Sequence, residues 1–196
     1  MNRAFIRIGL LVFACLIPLA HPGAQGTPDP WFGQQDKPKN FEALKAFTGA
    51  FSIQLPKDWQ LAPGHTGTIF SVVEKTKRGE TGGLITLEYM SLQAPLEPAL
   101  VAGVSERELK EVQSRELSGK QFSSAVKTGA SGPIIFIQYD RPALAGTDHV
   151  AQYSMPIGKV MYRLICIAPA PSIDKYKPIF AHVAASFAPV KTSGSQ

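Results

Sequence analysis

The chain has 196 residues, a formal net charge of +5 at pH 7 and a hydrophobic content of 44%, and 18% of its residues are charged. These values support one globular domain with a real core, and they exclude an intrinsically disordered chain, a collagen and a coiled coil. Two cysteines are too few for a disulfide-dense scaffold or a cysteine-based zinc site, so packing must supply the stability.

The N-terminus has the organisation of a secretory signal peptide. Two arginines and no acid precede an apolar run over residues 8–20, which is shorter than the roughly twenty residues that a membrane-spanning helix needs. Small residues at Ala24 and Gly26 predict cleavage after Gly26, with cleavage after Ala24 as the alternative. We therefore expect residues 1–26 to be a signal peptide and the mature protein to be periplasmic or secreted, without a transmembrane segment.

Cys15 lies inside this apolar run and raises the question of lipid attachment. A lipoprotein cysteine follows a motif with small residues, whereas residues 12–14 are Val-Phe-Ala and the apolar run continues beyond Cys15. We therefore interpret Cys15 as part of the signal peptide and not as a lipid anchor. Its removal leaves Cys166 as the single thiol, and we expect Cys166 to be buried and structural.

The mature chain begins with a leader and continues into a β-rich domain. Residues 27–40 are rich in Pro, Gly and Gln without an apolar period, which predicts a flexible leader before a domain at 41–190. Residues 191–196 are polar and predict a frayed tail. Alternation over 50–55 predicts a strand, and a second short strand follows at 59–61.

Two further segments, 68–75 and 84–92, are rich in β-branched and aromatic residues and predict a hairpin with a loop at 78–83. Glu88 lies in the middle of the second segment, between apolar neighbours. We consider Glu88 a candidate binding residue, and the alternative is a solvated position at a sheet edge or on an open face.

The clearest helix signal covers residues 105–117. Ser105 as N-cap and Glu108 three residues later form a capping box, and Gly119 follows the last turn where a C′ glycine belongs. The apolar stripe is thin and consists of Leu109, Val112 and Leu117. This pattern predicts a helix that covers a sheet and keeps most of its surface in water.

The remaining segments predict four strands and a closing helix. Turn-rich loops separate the strand signals, which predicts antiparallel pairing over residues 121–128, 133–140, 149–155 and 160–168. Residues 172–187 have apolar side chains at helical spacing. Because a proline inside a helix is costly, we expect the regular part of this helix to begin at or just before Pro178.

Charged side chains mark the ends of two neighbouring strands. Asp140 and Arg141 end one strand, and Asp148 and His149 begin the next. A hairpin brings these ends together, so the four residues are candidates for a small polar binding site. The alternative is a solvated salt-bridge cluster.

The sequence contains no motif for catalysis, metal binding or nucleotide binding. HExxH, CxxC, P-loop and GxGxxG patterns are absent, and residues 129–133 lack the second glycine of a nucleophile elbow. Lysines and arginines are scattered, apart from the short run at 75–78, which gives no support for a nucleic-acid partner. We therefore expect a protein that is not an enzyme and that uses no metal and no cofactor.

Three motifs and the order of the elements carry a family resemblance. FSIQLPKDWQL at 51–61, GKVMYRLICIAP at 158–169 and YKPIFAHVAASF at 176–187 resemble the opening strand, a late strand and the terminal helix of the PsbP-like domain family. The resemblance covers roughly residues 45–188 and implies an α+β fold, an α/β/α sandwich around an antiparallel β-sheet.

The PsbP-like family includes photosystem-associated extrinsic proteins, bacterial envelope proteins of the DcrB and LpqN type, and a Ran-binding import factor. Most of them act by binding. The resemblance therefore implies an exported, non-enzymatic envelope protein that binds an unidentified envelope protein or the envelope surface. The alternative is a periplasmic carrier of a small apolar ligand or lipid, held between sheet and helix.

Overall fold

The computed structural model describes residues 41–45, 51–62, 66–77 and 82–189, and for 41–45 it describes the backbone alone. The predicted signal peptide 1–26, the leader 27–40 and the tail 191–196 lie outside the described residues, as do parts of the predicted loops at 63–67 and 78–83. Within the described residues, neither helix is long and apolar enough to cross a membrane.

The described elements are ten strands and two α-helices. The strands are β1 (Phe41–Lys45), β2 (Phe51–Pro56), β3 (Trp59–Leu61), β4 (Thr68–Glu74), β5 (Leu84–Ser91), β6 (Lys120–Gly129), β7 (Gly132–Ala143), β8 (Gly146–Ile157), β9 (Val160–Pro169) and β10 (Ala188–Pro189). The helices are α1 (Val101–Arg115), between β5 and β6, and α2 (Ile173–Ser186), between β9 and β10.

The strands form two antiparallel sheets. The large sheet has the order β3-β4-β5-β9-β8-β7-β6, and the small sheet has the order β1-β2-β10. Hairpin connections join β4 to β5, β6 to β7, β7 to β8 and β8 to β9, as the sequence predicted. The strands β1 and β10 were not predicted, since neither segment has a clear alternation of its own.

Each face of the large sheet supports its own core. On one face α2 and β2 pack against the sheet, and the buried residues include Phe51, Ile53, Leu55, Leu87, Tyr153, Leu164, Cys166, Phe180 and Val183. On the other face α1 covers a smaller core of Val101, Val112, Ile135, Ile137, Tyr139 and Val150. One helix on each side of an antiparallel sheet confirms the predicted α+β sandwich.

The predicted start of α1 was wrong. The helix begins at Val101 after a short 3₁₀ turn at Pro98–Leu100, and its N-cap is Leu100. Ser105 and Glu108 therefore lie inside the helix and do not form a capping box. They recur at helical spacing with Val101 and Val112, and all four are buried against the sheet.

The predicted C-terminal end of α1 also needs correction. The helix ends at Arg115 with Glu116 as C-cap, so Gly119 lies beyond the C′ position. Leu117, assigned to the apolar stripe, is 87% exposed because it follows the helix.

The helix α2 begins five residues before Pro178, which lies inside it. The expected start at Pro178 was therefore wrong. Tertiary contacts explain the difference: Tyr176 is buried, its ring packs edge-on against Trp59, and its hydroxyl donates a hydrogen bond to Glu74 Oε2 at 2.5 Å. These contacts hold the first turns of α2 in place despite the backbone hydrogen bond that proline removes.

Candidate binding site

The predicted polar cluster at the end of β7 and β8 is divided by the sheet. The register places Asp140 opposite His149 and Arg141 opposite Asp148, so the hairpin does bring the four residues together. Successive residues of a strand point to opposite faces, however. Arg141 and Asp148 share the α1 face with Tyr139, whereas Asp140 and His149 share the α2 face. They form two pairs and not one site.

On the α2 face, His149 and Asp140 form a close pair. His149 Nδ1 lies 2.6 Å from Asp140 Oδ1, and both side chains are more than four-fifths buried. On the α1 face, Arg141 Nη1 lies 3.7 Å from Glu116 Oε1, beyond the end of α1. Tyr139 lies beside this ion pair, and burial together with the negative charge of Glu116 raises the pKa of Tyr139.

Glu88 lies on the α1 face of a central strand. The strand β5 is paired with β4 on one side and β9 on the other, which excludes the edge position considered above. The register places Glu88 opposite Arg163 of β9, and Glu88 is half-buried. It therefore occupies an open-face position next to a cation.

Glu88 and Arg141 line the same groove, which we call the α1 groove. The helix α1 packs over β6 and β7, and the groove runs beside it over β5, β8 and β9. Its volume is about 350 Å³, and its lining consists of Leu84, Thr86, Glu88, Arg115, Glu116, Tyr139, Arg141, Gln152, Arg163, Ile165 and Ile167. Aliphatic side chains form part of this lining, and three arginines and two glutamates supply its charges.

A buried polar network fixes one of these arginines. Glu108 Oε1 accepts a hydrogen bond from Arg163 Nη2 at 3.3 Å, and Glu108 Oε2 accepts one from Ser154 Oγ at 2.8 Å. Gln152 Nε2 donates to Ser154 Oγ at 3.2 Å. The side chains of Arg163 and Glu108 are only 16% and 9% exposed. The network thus joins α1 to β8 and β9 and holds the Arg163 guanidinium in the lining of the groove.

Sequence reasoning missed the role of Glu108. The capping-box pattern assigned its carboxylate to the helix N-terminus, whereas the true helix start places it two turns along. A signal was present: Glu108 lies four residues before Val112 and seven after Val101, which is the spacing of one helix face. A carboxylate on a buried face requires a partner on the sheet.

A second cavity, which we call the α2 pocket, lies on the other side of the molecule. It has a volume of about 350 Å³ and lies between the C-terminal turns of α2 and the β6–β7 turn. None of its lining residues is charged; they are Thr128, Gly129, Ala130, Ser131, Gly132, Pro133, Ile134, Met155, Pro156, Ala181, Ala184, Ala185 and Phe187.

A separate polar cluster, formed by Glu74, Lys175 and Tyr176, joins β4 to α2. Glu74 accepts hydrogen bonds from Lys175 Nζ at 2.7 Å and from the Tyr176 hydroxyl. Burial alone would raise the pKa of Glu74, but these hydrogen bonds outweigh it and leave the pKa below its ordinary value. Because its groups satisfy one another, this cluster anchors the helix.

Two further observations concern Cys166 and clusters of possible metal ligands. Cys166 is fully buried, as predicted, and burial raises the pKa of its thiol well above the ordinary value. Across the described part of the chain, no three His, Cys, Asp or Glu side chains are placed so that they could hold a metal ion.

Comparison with known proteins identifies the fold. No protein-family model matches the sequence, and no curated protein matches it either. Among solved structures, the chain is similar to the cyanobacterial PsbP (CyanoP) of Synechocystis, with a TM-score of 0.60 and 12% sequence identity over 88% of this chain and 99% of that one. The chain has the PsbP-like fold.

Two other PsbP-like structures support this assignment. The Ran-binding protein Mog1p of Saccharomyces cerevisiae has a TM-score of 0.55 at 11% identity, covering 79% of this chain and 97% of its own. LpqN, involved in cell envelope biogenesis of Mycobacterium tuberculosis, has a TM-score of 0.52 at 15% identity, covering 71% of this chain and 83% of its own. At these identities the likeness establishes the shared fold, and function has to be argued from the site.

Proposed function

We propose that the chain is an exported, non-enzymatic protein of the bacterial envelope that acts by binding another protein or the envelope surface. The observation that carries this proposal is the α1 groove, which combines aliphatic and charged groups in one concave surface. Arginine is enriched among the residues that contribute most to protein–protein binding, because it offers several donors and an apolar stem. The similarity to LpqN, which is involved in cell envelope biogenesis, is consistent with this assignment.

The charges of the groove favour a protein over a membrane surface. Each arginine of the groove has a carboxylate oxygen within 4 Å of its guanidinium nitrogens. These nitrogen–oxygen distances are 3.9 Å for Arg115 and Glu111, 3.7 Å for Arg141 and Glu116, and 3.3 Å for Arg163 and Glu108. Anionic lipid attracts surfaces with an excess of basic residues. A lining of both signs instead suits a partner that also presents both signs, so an envelope protein is the preferred partner.

The state of the groove before binding also supports a docking role. The hydrogen bond of Arg163 to Glu108 holds its side chain in place, so little conformational entropy is lost when a partner arrives. The buried Nε–H of Arg163 has no hydrogen-bond partner among the described residues.

A charge reversal in the groove tests the proposal. We expect Arg115→Glu to weaken recovery of the partner at least about tenfold when the tagged chain is cross-linked and purified from its own cell envelope. Arg107→Glu is the matched control, because Arg107 is an exposed arginine of the same helix outside the groove. Equal recovery with both variants would contradict a docking role for the groove.

Export is tested by the mass of the mature protein. Cleavage after Gly26 gives a chain that begins at Thr27, and cleavage after Ala24 gives one that begins at Gln25. A product that retains Cys15 with acyl chains would show that the protein is a lipoprotein.

The alternative is that the chain carries a small apolar ligand, and the α2 pocket is the observation that favours it. Between α2 and the sheet, Tyr153 and Phe180 are fully buried. The α2 pocket lies at the end of α2 and has an uncharged and mostly apolar lining. Native mass spectrometry of protein purified gently from its own envelope separates the two roles, because a carrier would retain a stoichiometric small mass.

A further inference from the structure

Small residues of α2 form one wall of the α2 pocket. Ala184 and Ala185 lie three and four residues after Ala181, so all three line the same side of the helix. Met155 of β8 and Phe187 after the helix end contribute larger apolar side chains to the lining, and both are buried. Larger side chains at the alanine positions would fill this space.

The polar groups of the pocket are uncharged. They come from Ser131 and from the backbone of the β6–β7 turn around it. Ser131 Oγ donates a hydrogen bond of 3.3 Å to the carbonyl oxygen of Phe187, which lies at the end of α2. A charged ligand would lose its hydration without meeting an opposite charge, so the lining selects against both anions and cations.

The volume sets the size of the occupant. An apolar cavity of roughly 150 Å³ holds benzene, and the α2 pocket is about 350 Å³. By this comparison it holds on the order of a dozen carbon atoms. It also falls at the lower end of the range of roughly 300–1,000 Å³ that is usual for small-molecule sites.

We propose that the α2 pocket binds an uncharged amphiphile with a short alkyl chain and a hydroxyl, ester or amide head. The alkyl chain lies against Met155 and the alanines of α2, and the head exchanges hydrogen bonds with Ser131 and the β6–β7 turn. This inference rests on the carrier alternative and deepens it by naming the site and the chemical class of ligand. It is independent of the α1 groove.

Methyl NMR tests the site directly. The mature chain is labelled at its methionine methyl groups and titrated with 1-octanol. We expect the Met155 signal to shift in a saturable way while those of Met90 and Met161, which do not line the pocket, stay in place. We expect octanoate and octylamine, which carry a charge on a similar chain, to bind at least about tenfold more weakly.

A pair of matched variants ties the binding to the pocket. Ala185 lines the pocket but is itself exposed, so Ala185→Leu fills space without entering the core. Ala102→Leu makes the same change at an exposed position of α1, away from the pocket. We expect Ala185→Leu to weaken octanol binding at least about tenfold and Ala102→Leu to leave it unchanged.

Three outcomes would overturn the inference: no saturable shift of Met155, equal shifts of all three methionines, or undiminished binding by Ala185→Leu. Failure of the carrier role itself has a different signature. In that case octanol binds at Met155 as described, but the protein isolated from its own envelope carries no small ligand.

Discussion

Replacing Glu108 by glutamine tests whether the buried network stabilises the fold. The change removes one charge and leaves the volume nearly constant, so Arg163 loses its ionic partner in a site where its side chain is 16% exposed. Removing one member of a buried ion pair costs about 3–5 kcal/mol. Glutamine can still accept the hydrogen bond of Ser154, and Arg163 keeps some access to water, so we expect a loss of about 2–3 kcal/mol.

The exposed pair on the same helix is the control. Glu111 and Arg115 lie 3.9 Å apart with side chains 59% and 51% exposed, and exposed pairs contribute about 0–1 kcal/mol. Glu111→Gln therefore makes the same chemical change in water and should lower the free energy of unfolding by less than about 0.5 kcal/mol. Urea denaturation of the mature chain, followed by circular dichroism, measures both variants.

A double variant separates the lost charge pairing from lost packing. If the cost of Glu108→Gln comes from an unpaired Arg163, then adding Arg163→Met should recover more than half of the lost free energy, because no buried charge remains. A loss for Glu108→Gln no larger than that of Glu111→Gln would refute this account. So would a double variant whose loss equals the sum of the single losses.

Three further predictions concern other parts of the fold. Cys166 should resist a thiol reagent until the protein is unfolded, since it is fully buried and burial raises its pKa; rapid labelling of the native protein would contradict this. The lowered pKa of Glu74 contributes stability above pH 4.5 that is lost as the pH falls through the folded-state value. Melting temperatures between about pH 5 and pH 3 should therefore fall less steeply for Glu74→Gln than for the wild type, and parallel curves would contradict the assignment. Gly83→Ala should cost about 1–3 kcal/mol of unfolding free energy, because the added carbon would lie 2.5 Å from the Trp59 ring; Gly103→Ala, with open space around it, is the control, and equal stability of the two variants would contradict the close contact.

The sequence predicted the central strands well because each carries its own pattern. Residues 133–140 and 160–168 are rich in β-branched and aromatic residues and are bounded by turn residues, so local signals and the fold agree. The strand β10 has two residues and depends on pairing with β2, which no local pattern reveals. The start of α2 before Pro178 likewise depends on the contacts of Tyr176 with β3 and β4.

The candidate site could be predicted only in part. The hairpin signal correctly placed the strand end with Asp140 and Arg141 close to the strand start with Asp148 and His149. The division between two faces follows from the period of two in a strand, and it could have been deduced from the same residues. The α1 groove could not be deduced, because it depends on where α1 crosses the sheet and on the partners of Arg163.

The small sheet links folding to the completion of the chain. Strand β2 pairs with β1 on one side and with β10 on the other, and the backbone N–H of Gln54 donates to Ser186 Oγ, 132 residues later. These contacts cannot form until the last residues of the domain have been synthesised. Because contacts between such distant residues require large loops to close, folding should be slow compared with that of helical bundles of similar size. A nascent chain that lacks β10 would leave one side of β2 without its native pairing partner.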